Sequence, residues 1–242
     1  MKAIDISIII PAYNEESRIG AAIKTISSYL TRKKFKYEII VVDDGSRDST
    51  AKIVKKAALR DKKIMLIKNT KNTGKGYSVK RGMLRSSGDV SLFTDADLST
   101  PITEIKNMIN VLREGFDVVI GSRRMIGSKV KVFQPPIRRL SGWVFHKTRK
   151  MIFLKDINDT QCGFKMFKKK AVKPIFSRQA TNGFVFDVEI LLIAENLAYK
   201  VKEIPVKWID EIESSLKIRK HIKGIIKDCI MIRINQIKGL YK

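Results

Sequence analysis

The sequence predicts an α/β fold built on a mainly parallel sheet flanked by helices, and three observations carry that prediction. Apolar β-branched runs alternate with stretches of helical period through the first half of the chain, as a sheet covered on both faces requires. The runs are apolar at nearly every position, the pattern of strands buried on both sides. Acidic residues stand directly after two of them, in IIVVDDGS and VSLFTDADLSTP.

Residues 6–10 form the first strand and end at Pro11; residues 15–30 follow as a helix with Ile19, Ala22, Ile23, Ile26 and Leu30 on one stripe. Residues 39–42 supply the second strand, after which Ser46, Asp48 or Ser49 can cap a helix that runs to about Leu59. A third strand over 64–67, a helix over 76–86 and a fourth strand over 90–93 continue the alternation. Thr100 then caps a helix whose first turn holds Pro101, where a missing N–H costs nothing. Residues 117–120 give the fifth strand.

The pattern then breaks. From 123 to 150 basic residues mix with Gly127, Ser128, Pro135 and Pro136, the composition of a loop leading into an amphipathic helix. Residues 163–167 read as a strand and 186–197 as a helix, and Ile204, Val206 and Trp208 alternate as in a half-buried strand. Residues 216–242 set Ile222, Ile225, Ile226, Cys229, Ile230 and Ile237 against Lys220, Lys223, Lys227, Arg233 and Lys238, a basic amphipathic helical segment. Such a helix can lie in a membrane interface or pack on its own domain with a solvated basic face. Periodicity does not choose between the two.

At 242 residues the chain can bury one sizeable core. No apolar run approaches the ~18 residues of a membrane span, and the first residues lack a signal-peptide layout, so a cytoplasmic protein is expected. Cys162 and Cys229 lack metal or disulfide spacing and read as reduced thiols. The 49 basic and 24 acidic residues give a net charge of +25, which attracts polyanions: nucleic acid, anionic lipid headgroups or phosphorylated substrates. No RNA-binding motif or zinc spacing supports nucleic acid beyond that charge. PAYNEE stands where a dinucleotide fold needs G-x-G-x-x-G, and Gly74-Lys75-Gly76 lacks the upstream glycine and the hydroxyl of a P-loop.

The acidic pairs therefore carry the chemistry. The carboxyl ends of parallel strands share one edge, where ligands of such folds bind. Asp95 and Asp97 are two apart, so in extended backbone they lie on one side and can converge on a hard divalent cation, itself able to hold a diphosphate.

IIIPAYNEE, VVDDGSRDST, NTGKGYSVKRGM, FTDADLSTP, VIGSR, DTQCGFKMF, FVFDVEIL and EIPVKW occur in the order seen in family 2 glycosyltransferases. Over about residues 5–215 the set most resembles the dolichyl-phosphate β-glucosyltransferases, and DTQCGF with FDVE separates them from the related dolichyl-phosphate mannose synthases. The resemblance implies a GT-A fold over residues 1–215, with a nucleotide-sugar half over about 1–123, an acceptor half over 124–215 and a tail over 216–242. It further implies a nucleoside-diphosphate sugar held through Mg2+ or Mn2+. Pro11, Ala12, Tyr13 and Glu15 would border the nucleoside and Asp44 would bond the base; Asp95, with Ala96 beside it, would lie near ribose or metal, and Asp97 would bind the metal. Lys75 would lie near the diphosphate, and Arg123, Arg138 and Arg139 would meet phosphate groups. Ser99 stands where DxDxQ members carry a glutamine with an extra metal contact, which leaves a third protein ligand open.

Structural roles compete for several of these residues: Tyr13 can cap the sheet edge, Asp43 can pin the turn before Gly45, and Lys75 can make a surface salt bridge. Glu15, Asp187 and Glu189 can be first-turn acids favoured by a helix dipole. The activity expected from the resemblance is inverting transfer of a hexose, glucose from UDP-glucose first, to a dolichyl or polyprenyl phosphate at the cytoplasmic, anionic face of a membrane. A phosphate acceptor, with a second pKa near ~6, needs cations and no base. A hydroxyl acceptor would need a base, and Asp159 and Asp187 are the candidates, with Asp159, Thr160 and Gln161 also able to line the donor or acceptor site. A glycan hydroxyl acceptor, a GDP-mannose donor and a non-catalytic nucleotide or nucleic-acid binder are the alternatives.

Overall fold

A computed structural model describes residues 4–131, 157–209 and 222–242. Arg138, Arg139, the helix expected before residue 150 and the start of the C-terminal tail lie outside the described residues. In chain order the elements are β1 (Ile6–Ala12), α1 (Ile19–Arg32), β2 (Tyr37–Asp43), α2 (Thr50–Arg60), β3 (Ile64–Lys68), α3 (Lys75–Arg85) and β4 (Val90–Phe93). A 3-10 turn (Ile102–Glu104), α4 (Ile105–Arg113), β5 (Val118–Ser122), β6 (Lys129–Lys131), β7 (Lys165–Lys168) and α5 (Lys169–Arg178) follow. The remainder is α6 (Phe186–Asn196), β8 (Val201–Pro205), β9 (Lys207–Ile209) and α7 (Ile222–Ile237).

Seven strands form one sheet in the order β3-β2-β1-β4-β7-β5-β8, and β6 pairs with β9 in a separate parallel ribbon. The α/β expectation holds, with its apolar runs facing both ways: Ile9, Ile40, Val42 and Phe93 pack on one side of the sheet and Ile8, Ile10, Ile39, Val41 and Leu92 on the other. Phe93 sits at an aromatic junction, its ring 6.2 Å from Phe167 and 5.8 Å from Phe186. That junction underlies the acidic pair two residues further on.

Among the described residues β7 is the one antiparallel strand, and it decides the site. β7 pairs with β4 (Phe93 with Lys165) and with β5 (Ile120 with Lys165), so its first residue lies at the edge where its neighbours end. The segment 157–164 is thereby delivered beside Asp95 and Arg123. Gly163 marks how close the approach is, since a Cβ there would stand 2.0 Å from Asp95 Oδ2.

Four local readings change. The first helix starts at Ile19 rather than Glu15, because residues 14–16 are zipped to the turn after β2: Asn14 N–H donates to Ser46 Oγ, Arg47 N–H to Asn14 Oδ1, Glu15 N–H to Thr50 Oγ1 and Ser49 N–H to Glu16 Oε2. Pro101 is extended (ψ 139°) and precedes the 3-10 turn, so it does not open α4 directly. α5 was hidden among lysines and by Pro174, although Ala171, Val172, Ile175 and Phe176 form its buried face. The run through Trp208 divides at Val206, β8 joining the large sheet and β9 the ribbon. α7 packs on its own domain through Ile225, Cys229 and Ile232.

Candidate active site

The carboxyl ends of β1, β2, β4 and β5 and the start of β7 surround one crevice. β1 lies between β2 and β4, the point where strand order reverses and α/β sheets open to ligands. Pro11 lies within β1 opposite Val42, Ala12 and Ala96 are buried, and Tyr13 is 40% exposed at the rim. Glu15 pairs with Arg18 at 2.8 Å. Burial raises the Glu15 carboxyl against that pairing, and the charges of Asp97 and Asp95 add to the rise.

Asp44 is bound by the protein itself. Its Oδ1 accepts from Asn69 Nδ2 (2.6 Å) and Thr73 N–H (3.0 Å), and its Oδ2 from Gly74 N–H (2.8 Å). The carboxylate thus moulds the 69–74 loop that leads into Lys75. Gly74 is required there, with φ +117° and the carbonyl of Asn182 2.3 Å from where a Cβ would sit. Asp43 is buried and accepts from Ser46 N–H at 3.2 Å, the turn-pinning contact.

The two DAD carboxylates differ in their commitments. Asp95 Oδ1 is paired to Lys75 Nζ at 2.5 Å. Burial lowers the Lys75 ammonium, but Asp95, Asp187 and Asp97 outweigh it and hold the pKa above its ordinary value. Asp97 Oδ1 accepts from Ser99 N–H at 2.9 Å, and among the described residues no donor reaches its Oδ2. Both acids are partly exposed. Two carboxylates suit a hard cation that fills its remaining positions with diphosphate oxygens and water. Among the described residues no third His, Cys, Asp or Glu joins them in a cluster.

Across the crevice, Arg123 grips Asp159 in a bidentate pair, Nε to Oδ2 at 2.7 Å and Nη2 to Oδ1 at 2.9 Å, and its guanidinium lies 5.4 Å from the centre of the Trp208 ring. Burial raises the Asp159 carboxyl, but the hydrogen bonds and charge of Arg123 outweigh it and hold the pKa down. The guanidinium has five N–H donors, of which Asp159 takes two. Asp187, 2% exposed, is paired with the wholly buried Lys165, whose ammonium also donates to the Cys162 carbonyl. Burial raises its carboxyl more than Lys165 and Lys75 lower it. Cys162 is a buried thiol pushed up to about 11 by burial and Asp159.

Comparison with known proteins places this arrangement. Residues 7–176 match the profile described as glycosyl transferase family 2. The chain belongs to that family. A dolichyl-phosphate beta-glucosyltransferase of Trichomonas vaginalis is 37% identical over 96% of this chain and 72% of its own length. The proteins of the same description from Saccharomyces cerevisiae (32% identical, covering 99% of this chain and 77% of that one) and Homo sapiens (31%, 98% and 77%) are similarly related. Among solved structures, the glucosyl-3-phosphoglycerate synthase of Mycobacterium tuberculosis, crystallised with Mn2+, UDP-glucose and phosphoglyceric acid, superposes with a TM-score of 0.70 at 18% identity over 95% of this chain and 79% of that one. The fold is the GT-A-like α/β fold expected.

In this glycosyltransferase two positioning residues escaped the sequence reading. Glu203 on β8 lies far along the chain from the 158–159 loop, yet its carboxylate accepts from Asn158 N–H (2.8 Å), Asn158 Nδ2 (3.0 Å) and Asp159 N–H (2.6 Å). It holds the backbone that aims Asp159 at Arg123. Asn69 likewise ties Asp44, Ser78 Oγ (3.0 Å) and Arg81 together behind the Lys75 loop. Polar residues inside strand and turn patterns gave no periodic cue for either. Glu203→Gln places an amide N–H2 against one set of loop donors, so stability is expected to fall by about 1–3 kcal/mol in urea unfolding. In the same variant the acceptor KM is expected to rise, with donor KM little changed.

Proposed function

We propose that this chain is an inverting dolichyl-phosphate or polyprenyl-phosphate β-glucosyltransferase that takes glucose from UDP-glucose. The relatives named above support the class, over nearly the whole of this chain. The observation that carries the acceptor is the state of the two candidate bases. Asp159 is held ionised by Arg123, and Asp187 is buried against Lys165, so neither is placed to take a proton from a sugar hydroxyl. A lipid monophosphate needs none, because it arrives as an anion.

The residues divide the work by charge. Pro11, Ala12, Tyr13 and Glu15 line the nucleoside side of the crevice, and Asp44 acts through the loop it shapes, with base contact open to the edge of its carboxylate. Asp97, with Asp95, would hold Mg2+ or Mn2+, which when bound supplies a Lewis acid for the diphosphate charge. Lys75, paired to Asp95, lies where it can add an N–H donor to the leaving diphosphate. Arg123 offers its remaining donors to the acceptor phosphate, and guanidinium binds phosphate through two parallel bonds. Gln161 Nε2 is buried with no partner among the described residues, which suits a donor kept for a substrate oxygen. Attack from the side opposite the diphosphate inverts the anomeric centre and gives the β-linked product.

The test is direct. Incubated with divalent metal, a polyprenyl phosphate and UDP-glucose, GDP-mannose or other nucleotide sugars in parallel, the protein is expected to yield a lipid whose mass has grown by one hexose, from UDP-glucose first. A product formed only on a hydroxyl acceptor, or only from GDP-mannose, overturns the reading.

A further inference from the structure

The C-terminal helix is apolar on two stripes one residue apart. Ile225, Cys229 and Ile232, at i, i+4 and i+7, are buried in the core. Beyond the helix end Tyr241 is buried too, and its hydroxyl donates to Glu189 Oε1 at 2.7 Å. α7 is therefore fixed to the domain. The second stripe, Ile226, Ile230, Ile234 and Ile237 at i, i+4, i+8 and i+11, is 45–73% exposed. Single exposed apolar residues are ordinary, but four in register form a continuous patch, and such patches mark interaction surfaces.

We propose that this outer stripe docks on an anionic lipid bilayer. Charge selects the occupant. Lys227 and Lys238 are exposed at the margin of the stripe, on a chain of net charge +25. A second copy would bring like charges together, whereas anionic headgroups supply the opposite sign beside an apolar layer. At 16 residues the helix is about 24 Å long, and among the described residues no helix is long and apolar enough to cross a membrane, so α7 lies along the surface.

Its position suits the reaction. Asp228 of α7 lies against Gly183, and the neighbouring Asn182 carbonyl lies against Gly74, the residue before Lys75. The docking helix thus flanks the donor side of the crevice. This inference extends the proposed function, since a lipid-borne acceptor obliges the enzyme to meet a bilayer, but its test needs neither donor nor acceptor.

The full chain is sedimented with phosphatidylcholine vesicles, with and without phosphatidylserine. Binding to the phosphatidylserine vesicles is expected, weakened by salt. The variant Ile226→Ser/Ile230→Ser/Ile237→Ser is expected to lose about 100-fold or more in partitioning, and Lys227→Gln/Lys238→Gln about 30-fold. Both should keep the parental melting temperature. Equal vesicle binding by the triple-serine variant overturns the proposal. So does a concentration-dependent dimer of the parent, in vesicle-free sedimentation, that the same variant abolishes. Vesicle binding that survives alongside a failure to glucosylate any lipid phosphate would count against the proposed function alone.

Discussion

Asp97→Asn is expected to lower glucosyl transfer by about 10³-fold or more, because the proposed divalent cation at that carboxylate would supply several kcal/mol of charge stabilisation at the diphosphate. The substitution is well suited to separating charge from shape. An asparagine Oδ1 can still accept from Ser99 N–H, as Asp97 Oδ1 does at 2.9 Å, so the turn through Leu98 keeps its anchor. What disappears is the negative charge at the uncommitted oxygen. Mn2+ binding, followed by the EPR signal of the free ion, should weaken in parallel while the melting temperature stays near the parental value. Parental transfer rates in Asp97→Asn would remove the metal role from this residue. Asp95→Asn should behave differently, since it breaks the pairing with Lys75 and leaves that ammonium short of a partner.

The second large effect belongs to Arg123. Arg123→Ala strips the bidentate partner from a carboxylate that is 3% exposed, and removing one member of a buried pair costs about 3–5 kcal/mol. Transfer should fall for two reasons, a loosened 157–164 segment and the loss of the phosphate contact proposed for Arg123. Arg123→Met combined with Asp159→Leu separates them: it removes the orphaned charge and returns part of the stability, though not all, because Arg123 N–H also donates to Asp159. Activity should stay down in the double variant. Urea unfolding and steady-state kinetics against the lipid phosphate measure the two readouts; recovery of transfer with stability would confine Arg123 to a structural role.

The pair also has a pH signature. The folded-state pKa of Asp159 is depressed, so its contribution to stability is complete above the ordinary carboxylate range and is lost as pH falls through the depressed value. Asp187 runs the other way. Its raised pKa means the folded state holds a proton more tightly than the unfolded chain, so the charged form is a cost that is complete above the raised value and is relieved as pH falls from there through the ordinary carboxylate range.

Much of the fold was legible because its cues are local. β4 falls on the residues its apolar run occupies, and β2 and β3 lie within a residue or two of theirs. The DAD pair could be read from spacing, since two residues apart in extended backbone is a statement about one face. α5 was less legible, as its lysines and Pro174 break the pattern that Ala171, Val172, Ile175 and Phe176 form only when seen packed. The start of α1 could not be read at all from helical period, because Asn14, Glu15 and Glu16 take their partners from residues 46–50.

The alternation of buried strands and helices, the acidic residues at the strand ends and the excess of positive charge all follow from residue type and near-neighbour spacing. That β7 runs backwards between β4 and β5, that Arg123 and Glu203 both converge on Asp159, and that α7 turns one apolar stripe inward and leaves the next outside emerges only once the chain is folded. The reason is physical: periodicity records which side of an element is apolar, while the partner of a carboxylate or the cover of a helix face depends on contacts between residues tens of positions apart.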